Sequence, residues 1–138
     1  MTVAASSTLE VLGDEECMLL LDREPVGRLA LSVSALPIVL PVNFRLADRT
    51  IVFASSPGLK LDAARAGVVA CFEVDGYDVF SHGGWSVLAT GRLEEITEPD
   101  ELAWARELPL SPWATTDPDG YVRLPIEILS GRRINRPT

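Results

Sequence analysis

The chain has 138 residues, of which 47% are hydrophobic and 23% charged, a composition typical of one globular domain and not of a disordered chain. Twenty acidic residues against twelve basic ones give a formal net charge of -8 at pH 7. Such a surface repels phosphate backbones and anionic lipids, and basic residues adjoin only at Arg132-Arg133. The composition therefore argues against nucleic acid and membranes as partners.

The N-terminal sequence resembles no targeting signal. It lacks a basic region followed by a long apolar run, and no stretch of about 18 apolar residues occurs. We therefore expect a cytoplasmic protein with one domain over residues 1–138, in which residues 1–12 form a flexible arm. Cys17 and Cys71 lie in apolar surroundings, which predicts buried, reduced thiols and no disulfide or metal site.

The first predicted element is a helix. Gly13 is followed by three acidic residues, which suit the positive end of a helix dipole. Apolar residues then recur at helical spacing at Cys17, Leu20 and Leu21, and the pattern ends after Arg23, before Pro25 and Gly27. A short amphipathic helix over 13–23 is expected.

Apolar and polar residues alternate through most of the remaining chain. The alternation predicts strands over 26–33, 38–46, 50–55, 68–75 and 85–96, and further strands near 121–124 and 132–134. Only two more helices are predicted, over 59–66 and 99–108. Short links and few crossover helices favour a mainly β, antiparallel barrel of about six strands over a doubly wound fold. Pro41 indicates a sheet edge, a bulge or a point where the ladder opens, because proline cannot donate to a ladder.

The segment Ser55-Ser56-Pro57-Gly58-Leu59-Lys60 joins a predicted strand to a predicted helix. Two hydroxyls, free backbone N–H groups and one ammonium group could converge there on a phosphate. The same short pattern also describes a capped helix with a solvated lysine, which is the commoner case. No HExxH, nucleophile elbow, P-loop or GxGxxG pattern occurs, and His82 stands alone in a Ser-His-Gly-Gly loop. Hydrolytic chemistry is therefore not expected.

Several strings occur together in a recognisable order: PVNF at 41–44, FEVDG at 72–76, GGWSVLATGR at 83–92 and SGRRI at 130–134, after EECMLLL and VGRLAL. Together they resemble the pyridoxamine 5'-phosphate oxidase-like family of FMN-binding split β-barrels over about residues 15–134. The resemblance implies a six-stranded antiparallel split barrel. It also implies a homodimer that holds FMN in a cleft between its subunits.

The resemblance assigns roles to residues. It implies that the isoalloxazine ring contacts the strand at Pro41, Val42 and Asn43, that the FMN phosphate is held by Ser55, Ser56 and Lys60, and that Trp85 and Ser86 lie beside the cofactor, across the dimer interface. Arg132 and Arg133 are either solvated or reach a phosphate or the partner subunit.

Two segments differ from true pyridoxamine phosphate oxidases. The family's strand rich in Arg, Leu and Lys is LPVNF here, and its histidine-containing tail is YVRLP. Oxidation of vitamin B6 is therefore not expected. The resemblance instead predicts an FMN-dependent oxidoreductase that transfers hydride between the flavin and a small conjugated substrate, with no catalytic side chain required. A deazaflavin-dependent reductase and a non-catalytic flavin- or haem-binding module remain alternatives.

Overall fold

The structure, a computed structural model, describes residues 8–110 and 120–135. Within these ranges the chain is mainly β, with three short helices. The elements in order are β1 (Thr8–Val11), α1 (Asp14–Arg23), β2 (Val26–Val33), β3 (Leu36–Asn43), β4 (Arg45–Ala47), β5 (Thr50–Ser55), α2 (Leu59–Arg65), β6 (Val69–Tyr77), β7 (Gly84–Arg92), β8 (Glu94–Glu95), α3 (Pro99–Arg106), β9 (Gly120–Pro125) and β10 (Ile128–Asn135).

The strands form two antiparallel sheets. The large sheet has the order β1-β10-β7-β6-β2-β3, and the small sheet has the order β4-β5-β9-β8. The chain passes directly from one sheet to the other at three short breaks: Phe44, Leu93 and the pair Ile126-Glu127. This arrangement confirms the predicted fold class, a mainly β, antiparallel split barrel.

The core lies between the two sheets, and the sheet-switching residues help to fill it. Phe44 and Leu93 are almost fully buried. The ring of Phe44 meets that of Phe72 edge to face, with ring centres 4.7 Å apart. The N–H of Phe44 donates to the carbonyl oxygen of Pro25 at 3.2 Å, so this break in the ladder leaves no unpaired donor.

Three expectations from the sequence need correction. The runs 38–46 and 85–96, each predicted as one strand, both divide between the two sheets. Residues 8–11 do not belong to a flexible arm, because β1 pairs with β10 from Thr8 opposite Asn135 to Val11 opposite Arg132; residues 1–7 lie outside the described ranges. Cys71 is only half-buried, because its side chain points away from the core.

The prediction of the first helix is confirmed. Helix α1 begins and ends as predicted and buries Cys17, Leu20 and Leu21. Both cysteines are free thiols. Burial, together with the nearby carboxylates of α1, raises the pKa of the Cys17 thiol. Among the described helices none is long and apolar enough to cross a membrane, and the described side chains form no His/Cys/Asp/Glu group suited to a metal ion.

Candidate functional site

The predicted phosphate loop and the predicted ring-contacting strand meet where β3 and β5 diverge. The β4·β5 ladder ends at Arg45 opposite Val52. Before Arg45 the chain belongs to β3 in the large sheet, while after Val52 strand β5 continues in the small sheet. Residues 41–43 therefore lie on one side of the divergence and residues 55–60 follow on the other. We call these two segments together the β3/β5 junction.

Strand β3 is an edge strand of the large sheet, as Pro41 predicted. Pro37 and Pro41 lie opposite Ser32 and Arg28 of β2. Neither proline has an N–H group, so neither can donate to β2, and both fit positions whose backbone groups point away from that strand. Alternate residues of an antiparallel strand share the same orientation. The backbone groups of Val39 and Asn43 consequently point to the free edge. The edge offers N–H donors and carbonyl acceptors to a planar polar ligand.

Ser55 ends β5 opposite Gly120 and is almost fully buried. Its Oγ donates to the carbonyl oxygen of Ser56 at 2.8 Å, which fixes the start of the loop. Ser56 itself is exposed. Gly58 precedes α2 with φ 137°, a conformation that L side chains rarely adopt, and no side chain caps the helix. The loop backbone is therefore exposed beside the first turn of α2.

Lys60 lies on that first turn and is half-buried. Among residues 8–110 and 120–135 its ammonium group has no ion-pair partner and no hydrogen bond, and desolvation lowers the pKa of this group. Arg65 on the same helix differs, because it binds both carboxylate oxygens of Glu95, at 3.1 and 3.2 Å. A half-buried cation without a carboxylate partner is electrostatically suited to an anionic ligand.

Trp85 and Ser86 lie far from the β3/β5 junction within one chain. Pro41, Arg28, Glu73 and Leu88 form one row across β3, β2, β6 and β7. Three strand spacings therefore separate β3 from β7, about 14 Å. Ser86 is two residues along β7 from this row and lies on the same sheet face as Leu88. The predicted site residues thus fall into two separate groups.

The two C-terminal arginines differ in environment. Arg133 binds the Glu16 carboxylate at 2.7 Å and approaches that of Glu10 at 3.5 Å, so it is engaged within its own chain. Arg132 pairs with Ser86 across the β10·β7 ladder, is exposed, and has no ion pair within the described residues. A cavity of about 280 Å³ opens beside Trp85, and its lining includes Arg133, Asn135 and Asp78.

His82 has a structural role in the β6–β7 loop. It adopts φ 57°, and its Nδ1 lies 3.2 Å from the hydroxyl oxygen of Tyr77. The N–H groups of Phe80 and Ser81 donate to Asp78 Oδ1, and these bonds lower the pKa of the Asp78 carboxyl. A catalytic role for His82 therefore gains no support from this geometry.

One charged cluster was missed in the sequence. Arg28 lies between Glu73 and Asp75 on the face of the large sheet that points away from the core, which we call the outer face. The i, i+2 spacing of Glu73 and Asp75 already placed both carboxylates on one strand face. The register of β2 against β6, which brings Arg28 beside them, cannot be predicted from the sequence pattern of either strand alone.

The model of the protein family described as pyridoxamine 5'-phosphate oxidase matches residues 13–133. The chain belongs to this family. An uncharacterised relative from Mycobacterium tuberculosis H37Rv, Rv0080, is 34% identical over 128 residues, which cover 89% of this chain and 84% of the relative.

Solved structures extend the family comparison to the fold. An FAD binding protein from Mycobacterium smegmatis shares 29% identity with a TM-score of 0.73, over 95% of this chain and 99% of the other. An FAD-binding protein from Mesorhizobium loti shares 28% identity with a TM-score of 0.77, over 91% and 97% of the two chains. Two proteins described as FAD-binding therefore share this fold.

Proposed function

We propose that this member of the family binds a flavin nucleotide at the β3/β5 junction and acts as an FMN-dependent oxidoreductase on a small conjugated substrate. The observation that carries the proposal is Lys60, a half-buried cation without a carboxylate partner in the described chain, which directly follows an exposed loop. The two similar structures described as FAD-binding support a flavin as the ligand class.

The residues of the junction fit such a ligand. Lys60 and the loop backbone at 56–58 would hold the phosphate, and the free backbone groups of Val39 and Asn43 would bind the polar edge of the ring. The flavin supplies the hydride chemistry when it is bound. The chain's task is then to bind, orient and shield the ring, which explains why it needs no side-chain acid or base.

We further propose that two copies of the chain associate through the outer face. This face carries many exposed apolar side chains: Leu9, Val11, Val39, Val69, Tyr77, Leu88, Ile128 and Ile134. Apolar side chains exposed in this number on one sheet face are characteristic of a covered interface. A second copy is the occupant that also brings Ser86 to the β3/β5 junction, whereas Trp85 lies on the opposite face of β7, against the core.

The geometry favours one symmetry. A two-fold axis parallel to the strands reverses the strand order of the partner's sheet, so β3 of one subunit lies over β7 and β10 of the other. The same axis leaves each residue at the same position along the strand direction. Asn43 then faces Ser86 and Arg132 of the partner subunit, which lie in its own row of the sheet. An axis perpendicular to the strands would instead place β3 over β3 and leave the two groups apart.

Retention of FMN by the purified chain tests the cofactor. After FMN is added and the excess is removed, we expect flavin absorbance bands whose intensity corresponds to about one bound flavin per subunit. Lys60→Met should lose the bands, and Arg65→Gln, a charge loss on the same helix, should keep them. Retention of FAD but not FMN would overturn the FMN assignment and leave a flavin protein.

Two other results would select the alternatives. Binding of a deazaflavin coenzyme without FMN or FAD would favour the deazaflavin reductase. Bound flavin that no donor and acceptor pair can turn over would favour the non-catalytic module.

A mixed disulfide tests the dimer. Asn43→Cys and Ser86→Cys, each made in a Cys71→Ala background, should form a covalent dimer when the two variants are mixed and oxidised. Within one chain the two strands are about 14 Å apart, too far for an intramolecular bridge. Thr90→Cys, on the same strand face as Ser86 but farther from the Asn43 row, should not cross-link with Asn43→Cys. Equal yields for both pairs would contradict the proposed axis.

A further inference from the structure

A charged cluster lies in the middle of the outer face. Arg28 Nη1 is 3.3 Å from Glu73 Oε1 and 3.2 Å from Asp75 Oδ2. One guanidinium therefore serves two carboxylates, and the cluster carries a net charge of -1 when both are ionised. Arg28 pairs with Glu73 directly across the β2·β6 ladder, so the backbone holds the three groups together.

Within residues 8–110 and 120–135, no second cation neutralises Glu73. From β2 it meets Arg28, flanked by Val26 and Ala30. From β7 the side chains on this face are Ser86, Leu88 and Thr90, which carry no charge, and on β6 its neighbours are Cys71 and Asp75. The nearest other arginines of this face lie farther off: Arg132 on β10, beyond Ser86, and Arg92 at the opposite end of β7.

This environment favours protonated Glu73. Burial, followed by the hydrogen bond and the charge of Asp75, raises the pKa of Glu73 to about 7, against the opposing effect of Arg28. In an isolated subunit Glu73 would therefore change its charge near neutral pH. The apolar side chains around the cluster would exclude water from it once the face is covered.

The cluster lies at the symmetry axis of the dimer proposed above, and the inference rests on that proposal. The strand order from β3 to β10 is β3-β2-β6-β7-β10, so β6 is its midpoint. An axis that places β3 over β7 or β10 runs along β6 or between β6 and β2. Glu73 and Asp75 of one subunit then face the same residues of the other.

We propose that Glu73 of each subunit takes up a proton when two copies of this chain associate, so that the dimer forms more tightly as pH falls towards neutrality. Each subunit takes one proton from solvent, and each cluster changes from a net charge of -1 to 0. Two protonated Glu73 side chains, two Asp75 carboxylates and two Arg28 guanidinium groups can then face each other without net repulsion. A desolvated, ionised cluster doubled across the axis would oppose association.

The direction and range of the effect follow from linkage. Association raises the affinity of Glu73 for its proton, so the pKa of Glu73 is higher in the dimer than in the isolated subunit. The dimer is favoured below this higher pKa and loses the advantage as pH rises through it. Below about pH 7 the isolated subunit is already protonated, and association becomes independent of pH. Above pH 7 the dissociation constant should rise by up to about 100-fold per pH unit, the limit for two protons.

Sedimentation of the full chain between pH 6 and 9 tests the inference. We expect the dimer dissociation constant to rise above pH 7 in the wild type. Glu73→Gln, a neutral side chain of the same shape, should give a dimer whose dissociation constant is independent of pH. Glu98→Gln, at the exposed start of α3, should keep the wild-type profile. Subunit exchange between two differently labelled batches gives the same readout for a very tight dimer.

The outcomes separate this inference from the proposed function. A wild-type dimer with a dissociation constant independent of pH, or one whose pH profile survives Glu73→Gln, overturns the proton uptake and leaves the dimer standing. A chain that remains monomeric at every pH overturns both. Retention of flavin is measured separately, and its loss in Lys60→Met alone bears on the cofactor site.

Discussion

The backbone of Gly76 lies against the indole ring of Trp85, its partner across the β6·β7 ladder. A Cβ atom at position 76 would come within 2.5 Å of Trp85 Nε1 and 2.8 Å of Cε2. Because a methyl group does not fit there, the glycine fixes the ring in its half-buried position. The FEVDG string therefore ends in glycine for a packing reason.

Gly76→Ala should displace the Trp85 ring and destabilise the fold by about 1–3 kcal/mol, the usual cost of an overpacked site. Urea unfolding measures this cost. The emission of Trp85 should shift to longer wavelength in a background where Trp104 and Trp113 are Phe. On a Trp85→Leu background the alanine should cost less than about 0.5 kcal/mol, because the clash is gone. An unchanged cost would locate the strain in the backbone.

Gly131 of β10 has a similar relationship with α1. A Cβ there would lie 2.6 Å from Cys17 Sγ and 3.3 Å from Leu12 Cβ. Gly131→Ala should therefore destabilise the fold by about 1–3 kcal/mol. Cys17→Ala removes the sulfur atom and should recover part of this loss, a coupling that a double-mutant cycle with urea unfolding detects. Strict additivity of the two substitutions would contradict the contact.

The strands show which features of the fold a local sequence pattern can predict and which it cannot. Alternation predicted where strands lie, and Pro41 predicted an edge, because both depend on the residues of one strand. Alternation continued through Phe44 and Leu93, however, because a strand that changes sheets keeps its buried side chains on one side. For that reason the runs 38–46 and 85–96 were each predicted as one strand, although each divides between the two sheets.

The candidate site shows the same division. The loop from Ser55 to Lys60 is local, so its pattern alone allowed a phosphate site beside the commoner capped helix, and the family resemblance favoured the phosphate. The cluster of Arg28 with Glu73 joins residues 45 positions apart and depends on the β2·β6 register. The separation of Asn43 from Ser86 depends on strand order. Neither strand order nor register follows from a single strand's pattern.

The β2–β3 hairpin turns through two non-glycine residues in left-handed conformation. Ser34 has φ 50° and Ala35 has φ 65°, which a type I' turn requires. Replacement by the favoured pair, Ser34→Asn with Ala35→Gly, should stabilise the fold by about 1 kcal/mol, less than the left-handed strain because glycine adds entropy to the unfolded chain. Thermal unfolding measures the gain. Ala35→Val should lower the melting temperature, and a gain there would contradict the turn assignment.

Lys60 should stabilise the flavin complex at the expense of the free protein. Since desolvation lowers the pKa of its ammonium group, the charged lysine disfavours the folded state at neutral pH, and this effect fades as pH rises through the lowered pKa towards 10.5. Lys60→Met should therefore raise the melting temperature of the flavin-free chain at pH 7 and leave it unchanged near pH 11.

The same substitution should weaken FMN binding by about 10- to 100-fold, the effect of one hydrogen bond to a charged group. Riboflavin lacks the phosphate, so its affinity should stay the same, and a fluorescence titration with both ligands makes the comparison. FMN should then stabilise the wild type by mass action more than it stabilises the variant. Equal loss of affinity for FMN and riboflavin would show that Lys60 supports the ring site or the fold and does not bind the phosphate.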